Sequence, residues 1–178
     1  DITLHAGGGV VPTAKEFDGV NEGLLDIGTT CTMYWVDKFG TAANLFTYQV
    51  GGLSPTEQFM WMQIEGLKLL SEMTAKYNVE FIGGMQTVPE AFLSMKDPVK
   101  SVADLKGKKI RTAGDDGVIF SRFMGVSVVF LPATEIVEAA RRGVIDGFQI
   151  SSPGTDWTFG TYDAIKYLYL GPTRQPQE

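Results

Sequence analysis

Short apolar runs alternate with capped helices along this chain, and that alternation constrains the fold more than any other feature of the sequence. The runs Leu24–Ile27, Val79–Ile82, Lys109–Thr112, Val126–Leu131 and Val144–Ile150 read as buried strands. Helix-start signals stand between them. Thr13 with Glu16 reads as a capping box ahead of Phe17 and Val20, and Gly23 is placed to end that helix. Ser54–Pro55–Thr56–Glu57 offers a cap, a proline at the first helical position and an acid at the third. Phe59, Met60, Ile64, Leu67, Leu70, Met73 and Tyr77 then recur at helical spacing, which predicts a helix running to Asn78. Ser101 with Asp104 caps a short turn closed by Gly107, and Thr134 opens a helix that stops at Gly143. Helices alternating with strands predict an α/β protein with parallel β-α-β units.

Two of these units share a plan. Glu16–Phe17 to Gly23–Leu24–Leu25–Asp26 and Glu135–Ile136 to Gly143–Val144–Ile145–Asp146 are each a helix ended by glycine. Two apolar residues and an aspartate that enters a strand follow in both. The spacings differ by one residue, so the repeat is inexact. Two similar α/β lobes facing one another across a cleft would produce it.

Composition removes several classes of function. The 178 residues are 44% hydrophobic and 20% charged, enough for one or two small cores. No run approaches the roughly 18 to 20 apolar residues of a membrane span. A net charge of −6, with the basic residues scattered, is the wrong sign for nucleic acid. Even Lys106–Gly107–Lys108–Lys109 reads as a solvated turn. The single cysteine, Cys31, excludes an internal disulfide and a multi-cysteine metal site, and the single His5 has no zinc partner. The opening Asp1–Ile2–Thr3–Leu4 enters a strand-like pattern without a leader, and the final residues stop in turn-like sequence. The chain is therefore expected to be a piece of a longer protein.

Catalytic machinery is hard to assemble from what is present. No G-x-S-x-G elbow occurs, and Gly7–Gly8–Gly9 lacks the continuation of a phosphate loop and reads as a turn. Asp115–Asp116 could be a carboxylate base, but between Gly114 and Gly117 they read as a loop capping a helix that begins near Val118.

Arg111 is a better candidate. It lies in Lys109–Ile110–Arg111–Thr112–Ala113–Gly114, a strand running into a glycine turn, and open α/β sheets bind ligands beyond such strand ends. A guanidinium offers planar, two-pronged recognition of a carboxylate. A surface ion pair with one of the 21 acids is the alternative reading. Phe148–Gln149–Ile150–Ser151–Ser152–Pro153, followed by Asp156–Trp157, is a second strand tip with polar groups and backbone carbonyls. For Trp157, a pocket wall and core packing both remain open, as they do for Tyr34–Trp35. Gln86, after Gly83–Gly84–Met85, also stands at a strand end.

Taken together, these segments resemble one family. Ser101–Val102–Ala103–Asp104–Leu105–Lys106–Gly107–Lys108–Lys109–Ile110–Arg111 is similar to the D-L-K-G-x-K-I-R signature of solute-binding proteins of tripartite ATP-independent periplasmic (TRAP) transporters, of the DctP type. Gly125 to Pro132, Glu135 and Arg142–Gly143–Val144–Ile145–Asp146–Gly147 fit its continuation. Pro12, Phe17–Asp18–Gly19–Val20, Gly23, Asp26, Gly52–Leu53–Ser54–Pro55–Thr56–Glu57–Gln58, Tyr77–Asn78–Val79 and Phe92–Leu93–Ser94 fit its first half.

The resemblance implies a two-lobed periplasmic-binding-protein-like fold, here incomplete at both ends. Residues 1–84 would form the first lobe without its N-terminal strand and helix, 85–149 the second, and 150–178 a return to the first. It implies a binding protein and not an enzyme. Located in the periplasm, it would capture a 2-oxo acid or similar monocarboxylate by lobe closure and pass it to membrane permease subunits, and a homodimer is admitted. Arg111 matches the arginine that pairs with the ligand carboxylate, and Tyr34–Trp35 the aromatic wall. Gln86, Gln149 and the carbonyl of Ile150 match positions that hold a cation bridging ligand and protein. Gln149 stands where that set has a glutamate, which removes a charge that a hard cation prefers, so neutral hydrogen bonds from Gln149 are the alternative to a monovalent or divalent ion. The competing function is an α/β enzyme acting on a carboxylate with Asp115 or Asp116 as base.

Overall fold

The computed structural model describes residues 1–47, 53–84 and 90–171. Its organising element is a five-stranded mixed sheet of β1 (Leu93–Met95), β2 (Lys109–Arg111), β3 (Ser127–Val129), β4 (Gly147–Phe148) and β5 (Tyr167–Tyr169). The strand order is β3-β2-β4-β1-β5. β2 runs parallel to both β3 and β4, whereas β1 is antiparallel to β4 and to β5. Eight α-helical segments are described: α1 (Glu16–Asn21), α2 (Val36–Phe39), α3 (Asn44–Thr47), α4 (Pro55–Trp61), α5 (Leu67–Thr74), α6 (Gly114–Met124), α7 (Ala133–Arg141) and α8 (Pro153–Thr158).

The parallel part is the predicted β-α-β pattern, with α6 linking β2 to β3 and α7 linking β3 to β4. Leu93, Met95, Leu105, Ile110, Phe120 and Val126 form one buried cluster. Ile136, Ala140, Ile145 and Phe148 form a second, against α7. Each large aliphatic side chain so buried contributes about 1.5–3 kcal/mol. Gly147 lets β4 and β1 approach closely, because a Cβ there would stand 2.6 Å from the carbonyl oxygen of Ser94. A third core is aromatic and lies in the first half of the chain, around Phe17, Trp35, Phe46, Met62 and Leu70.

The repeat found in the sequence is a repeat of hydrogen bonds. Gly23 and Gly143 both sit at φ 75°, the left-handed conformation that glycine adopts without strain. Leu24 and Leu25 N–H donate to Gly19 O, as Val144 and Ile145 N–H donate to Ala139 O. After this point the copies diverge. Asp146 N–H donates to Lys109 O at 2.7 Å and its Oδ2 accepts from Lys109 N at 2.8 Å, which launches β4 beside β2. Leu24–Ile27 and Val79–Ile82, both expected as strands, have no ladder among the described residues. A strand exists only with a partner to accept its backbone bonds.

Other expectations need correction. Thr13 does not cap α1: Lys15 holds that position, and its side chain makes no cap bond. The Ser54 box is present as expected, with Ser54 N donating to Glu57 Oε2 at 2.8 Å and Glu57 N to Ser54 Oγ at 3.3 Å. The helix after it reaches Thr74, not Asn78, through a widened turn at Met62–Gly66. α7 begins at Ala133 with Pro132 at its cap, and α6 begins at Gly114. The antiparallel strands β1 and β5 were not expected. β5, within the 150–178 stretch, pairs with β1 and forms an edge of the five-stranded sheet.

Candidate functional site

Arg111 closes β2 and is only 4% exposed. Its Nε donates to Leu131 O at 2.9 Å and its Nη1 to Gln149 O at 2.6 Å. These carbonyls lie at the ends of the neighbouring strands, so the parallel sheet itself aims the guanidinium. The alternative of a surface ion pair is not what the structure shows. The ion pairs described are among other, more exposed residues, and none includes Arg111. Three of its five N–H donors, both of those on Nη2 included, have no protein partner among the described residues.

Gln149 is brought to Arg111 but is already engaged. Its backbone N–H donates to Arg111 O at 2.8 Å. Its Oε1 accepts from Thr112 Oγ1 at 2.6 Å, and its Nε2 donates to Phe92 O at 2.8 Å. The buried amide thus ties β2, β4 and the entry to β1 together. Ile150 follows it and packs partly against the α7 core. Gln86 lies outside the described residues.

Tyr34 approaches from the first half of the chain, on a short 3-10 turn at Thr32–Trp35. Burial pushes its hydroxyl pKa up, Cys31 adds to that, and the charge of Arg111 opposes it. Tyr34 and Arg111 therefore sense one another across the two halves. Trp35 is 2% exposed inside the aromatic core, with its ring 4.6 Å from Phe17 and 5.9 Å from Phe81. Trp157 is 64% exposed and stacks on Tyr162 at 4.3 Å. Asp115 and Asp116 fall in the first turn of α6 and not in a loop ahead of a helix at Val118.

A groove of about 640 Å³ lies elsewhere, between Glu16–Thr30 and Tyr77–Gly83. Its lining includes Glu16, Asp26 and Glu80 but no lysine or arginine. That charge pattern repels an organic anion, and the buried cation at β2 attracts one. Sequence reasoning placed Asp156 near this site without assigning it a role, and the structure buries it at 3% exposure.

A cation site can be tested on the donors present. No group of three or more His, Cys, Asp or Glu that could hold a metal occurs among the described residues. Of the expected ligands, Gln149 Oε1 already accepts a hydrogen bond from Thr112 Oγ1, and the Ile150 carbonyl is neutral. A divalent ion favours several oxygens with negative charge, which Gln149 and Ile150 do not supply.

The model of the bacterial extracellular solute-binding proteins, family 7 (DctP), matches residues 1–172. A monocarboxylate 2-oxoacid-binding periplasmic protein of a Nostoc species is 34% identical over 97% of this chain and 49% of its own length. A TRAP transporter solute-binding protein from Bordetella bronchiseptica, solved with copurified calcium and picolinate, superimposes with a TM-score of 0.88 at 26% identity. That match covers 99% of this chain and 53% of the other. One from Colwellia psychrerythraea, with bound calcium and pyruvate, gives 0.82 at 27% identity, over 92% of this chain and 50% of that one. The chain spans about half the length of these relatives.

Proposed function

As this chain belongs to the bacterial extracellular solute-binding protein family 7, we propose that it supplies the carboxylate anchor of a TRAP-transporter solute-binding protein, with Arg111 pairing a small monocarboxylate. The observation that carries the reading is a buried guanidinium with two donors fixed on carbonyls and three left for a ligand. A buried charge without a counter-charge is expensive, and a ligand carboxylate relieves that expense with two parallel hydrogen bonds. The charge of Arg111 reaches Tyr34 in the other half of the chain, which is how ligand capture would draw two lobes together. The 2-oxoacid, picolinate and pyruvate bound by the relatives support this ligand class.

The full protein then works outside the cytoplasm and delivers the acid to membrane subunits. With neutral Gln149 where a glutamate would favour a divalent bridge, direct hydrogen bonding from Arg111 carries the ligand contact. The family consists of binding proteins, and an enzyme with Asp115 or Asp116 as base is set aside.

The test is thermal stabilisation by pyruvate. Wild-type protein is expected to gain melting temperature with added pyruvate, while Arg111→Ala and Arg111→Lys gain none. Lysine keeps the charge but loses the planar fork, so it separates geometry from charge. A full pyruvate-induced shift in both variants would falsify the reading.

A further inference from the structure

Asp156 stands in the first turn of α8, buried at 3% exposure. The nearby backbone N–H of Ser151 favours the charged form of its carboxyl. Its Oδ1, however, is buried with no hydrogen-bond partner. Ser151 follows Ile150, and its carbonyl accepts from Ala91 N–H at 3.0 Å. Asp156 N–H donates to Ser152 O at 2.9 Å, and Ser152 caps α8, which fixes Asp156 to the strand tip whose Gln149 carbonyl holds Arg111. Burial with incomplete pairing disfavours the charged form. It pushes this carboxyl up to about 7, against the opposing pull of the Ser151 N–H and of Arg111.

The groups around it are few. The charge of Arg111 on β2 favours its ionised form. Glu90, buried in the segment before β1, bears on Tyr34 and is not among the groups that shift Asp156. Beyond α8, Thr161 donates its hydroxyl to the Asp156 carbonyl, and Asp163 is paired with Arg141 at the surface.

We propose that Asp156 is a proton-binding member of the ligand site, which takes up a proton when Arg111 engages an organic acid. The inference rests on the anchor reading above. Without ligand, the guanidinium favours an ionised Asp156. A bound carboxylate neutralises the guanidinium and adds a second negative charge nearby, and both changes favour the protonated form. Linkage makes proton uptake and acid binding assist one another. Affinity is then highest where Asp156 holds its proton. It weakens as pH rises through the neutral range, by at most about tenfold per pH unit for one proton.

The experiment uses the intact protein with pyruvate and picolinate as probes. Calorimetric titration at neutral pH, in two buffers of different ionisation heat, reads proton uptake. The Kd, followed from mildly acidic to mildly alkaline pH, reads the slope. The expected result is uptake of part of a proton and a Kd that rises with pH. Both effects disappear in Asp156→Asn. Carboxyl carbon NMR of the wild-type protein supplies a readout that needs no variant: Asp156 titrates near neutrality and moves upward with pyruvate. An Asp156 carbon that titrates in the ordinary carboxylate range, or is unmoved by bound pyruvate, overturns the proposal alone. So does a pH slope that survives Asp156→Asn and vanishes in Glu90→Gln. Failure of both acids to bind at any pH overturns the anchor reading, and this one with it.

Discussion

At the scale of single residues, the site is built from buried polar groups whose partners are almost all backbone. Gln149 shows how much structure one amide can hold. Its side chain answers Thr112 Oγ1 on one side and Phe92 O on the other, across 37 and 57 residues of sequence. Gln149→Leu keeps similar volume but strands both partners. Leaving a buried donor or acceptor unpaired costs about 1–3 kcal/mol. The variant is expected to lose that order of stability in urea unfolding with an unchanged m-value; a loss below a few tenths would mean that the amide is incidental. Arg111 was legible in the sequence because a strand end followed by a glycine turn is a local pattern. The engagement of Gln149 was not, because its partners are set by sheet order. Asp156 was visible as an acid beside Trp157, yet its burial and its orphaned oxygen come from tertiary packing and leave no mark on the residues around it.

At the scale of elements, local capping chemistry decides which helix starts can be read. Ser54 and Glu57 satisfy one another's backbone donors as the sequence suggests. Thr13 and Glu16 carry the same spacing, but the chain places Lys15 at the cap of α1, and Ala14 takes a positive φ of 73° just before it. A capping threonine cannot act through that intervening turn. Ser54→Ala is therefore expected to lower stability by about 1 kcal/mol, whereas Thr13→Ala changes it by no more than a few tenths. Equal losses in thermal unfolding of the two variants would contradict the assignment. The strands divide on the same principle. Lys109–Arg111, Ser127–Val129 and Gly147–Phe148 were readable because β-α-β order gives each a parallel neighbour. β1 and β5 were missed because they pair antiparallel, a relation no helix spacing announces.

At the scale of the whole molecule, the two related halves have reached different states. The second has a five-stranded sheet with a buried cluster against each of its helical coverings. The first has a well-packed aromatic core but no sheet among its described residues. Its extended segments flank the 640 Å³ groove with Leu24, Ile27 and Ile82 at 59%, 63% and 83% exposure. Apolar residues at such exposure around open backbone edges form a surface that binds hydrophobic dyes and associates. The chain expressed alone is thus expected to enhance the fluorescence of anilinonaphthalene sulfonate more than a relative of full length does. Ile82→Glu should reduce that enhancement without disturbing the α6 and α7 packing seen by near-ultraviolet dichroism. An enhancement equal to that of the full-length relative would show that the first half closes its own groove. In that case the internal repeat would reflect similar helix ends and not two sheets of one design. If the dye does bind, the anchor half around Arg111 is a finished structure attached to an open one. Ligand affinity measured on this chain should then fall below that of a full-length relative, because closure needs a rigid surface on both sides of the acid.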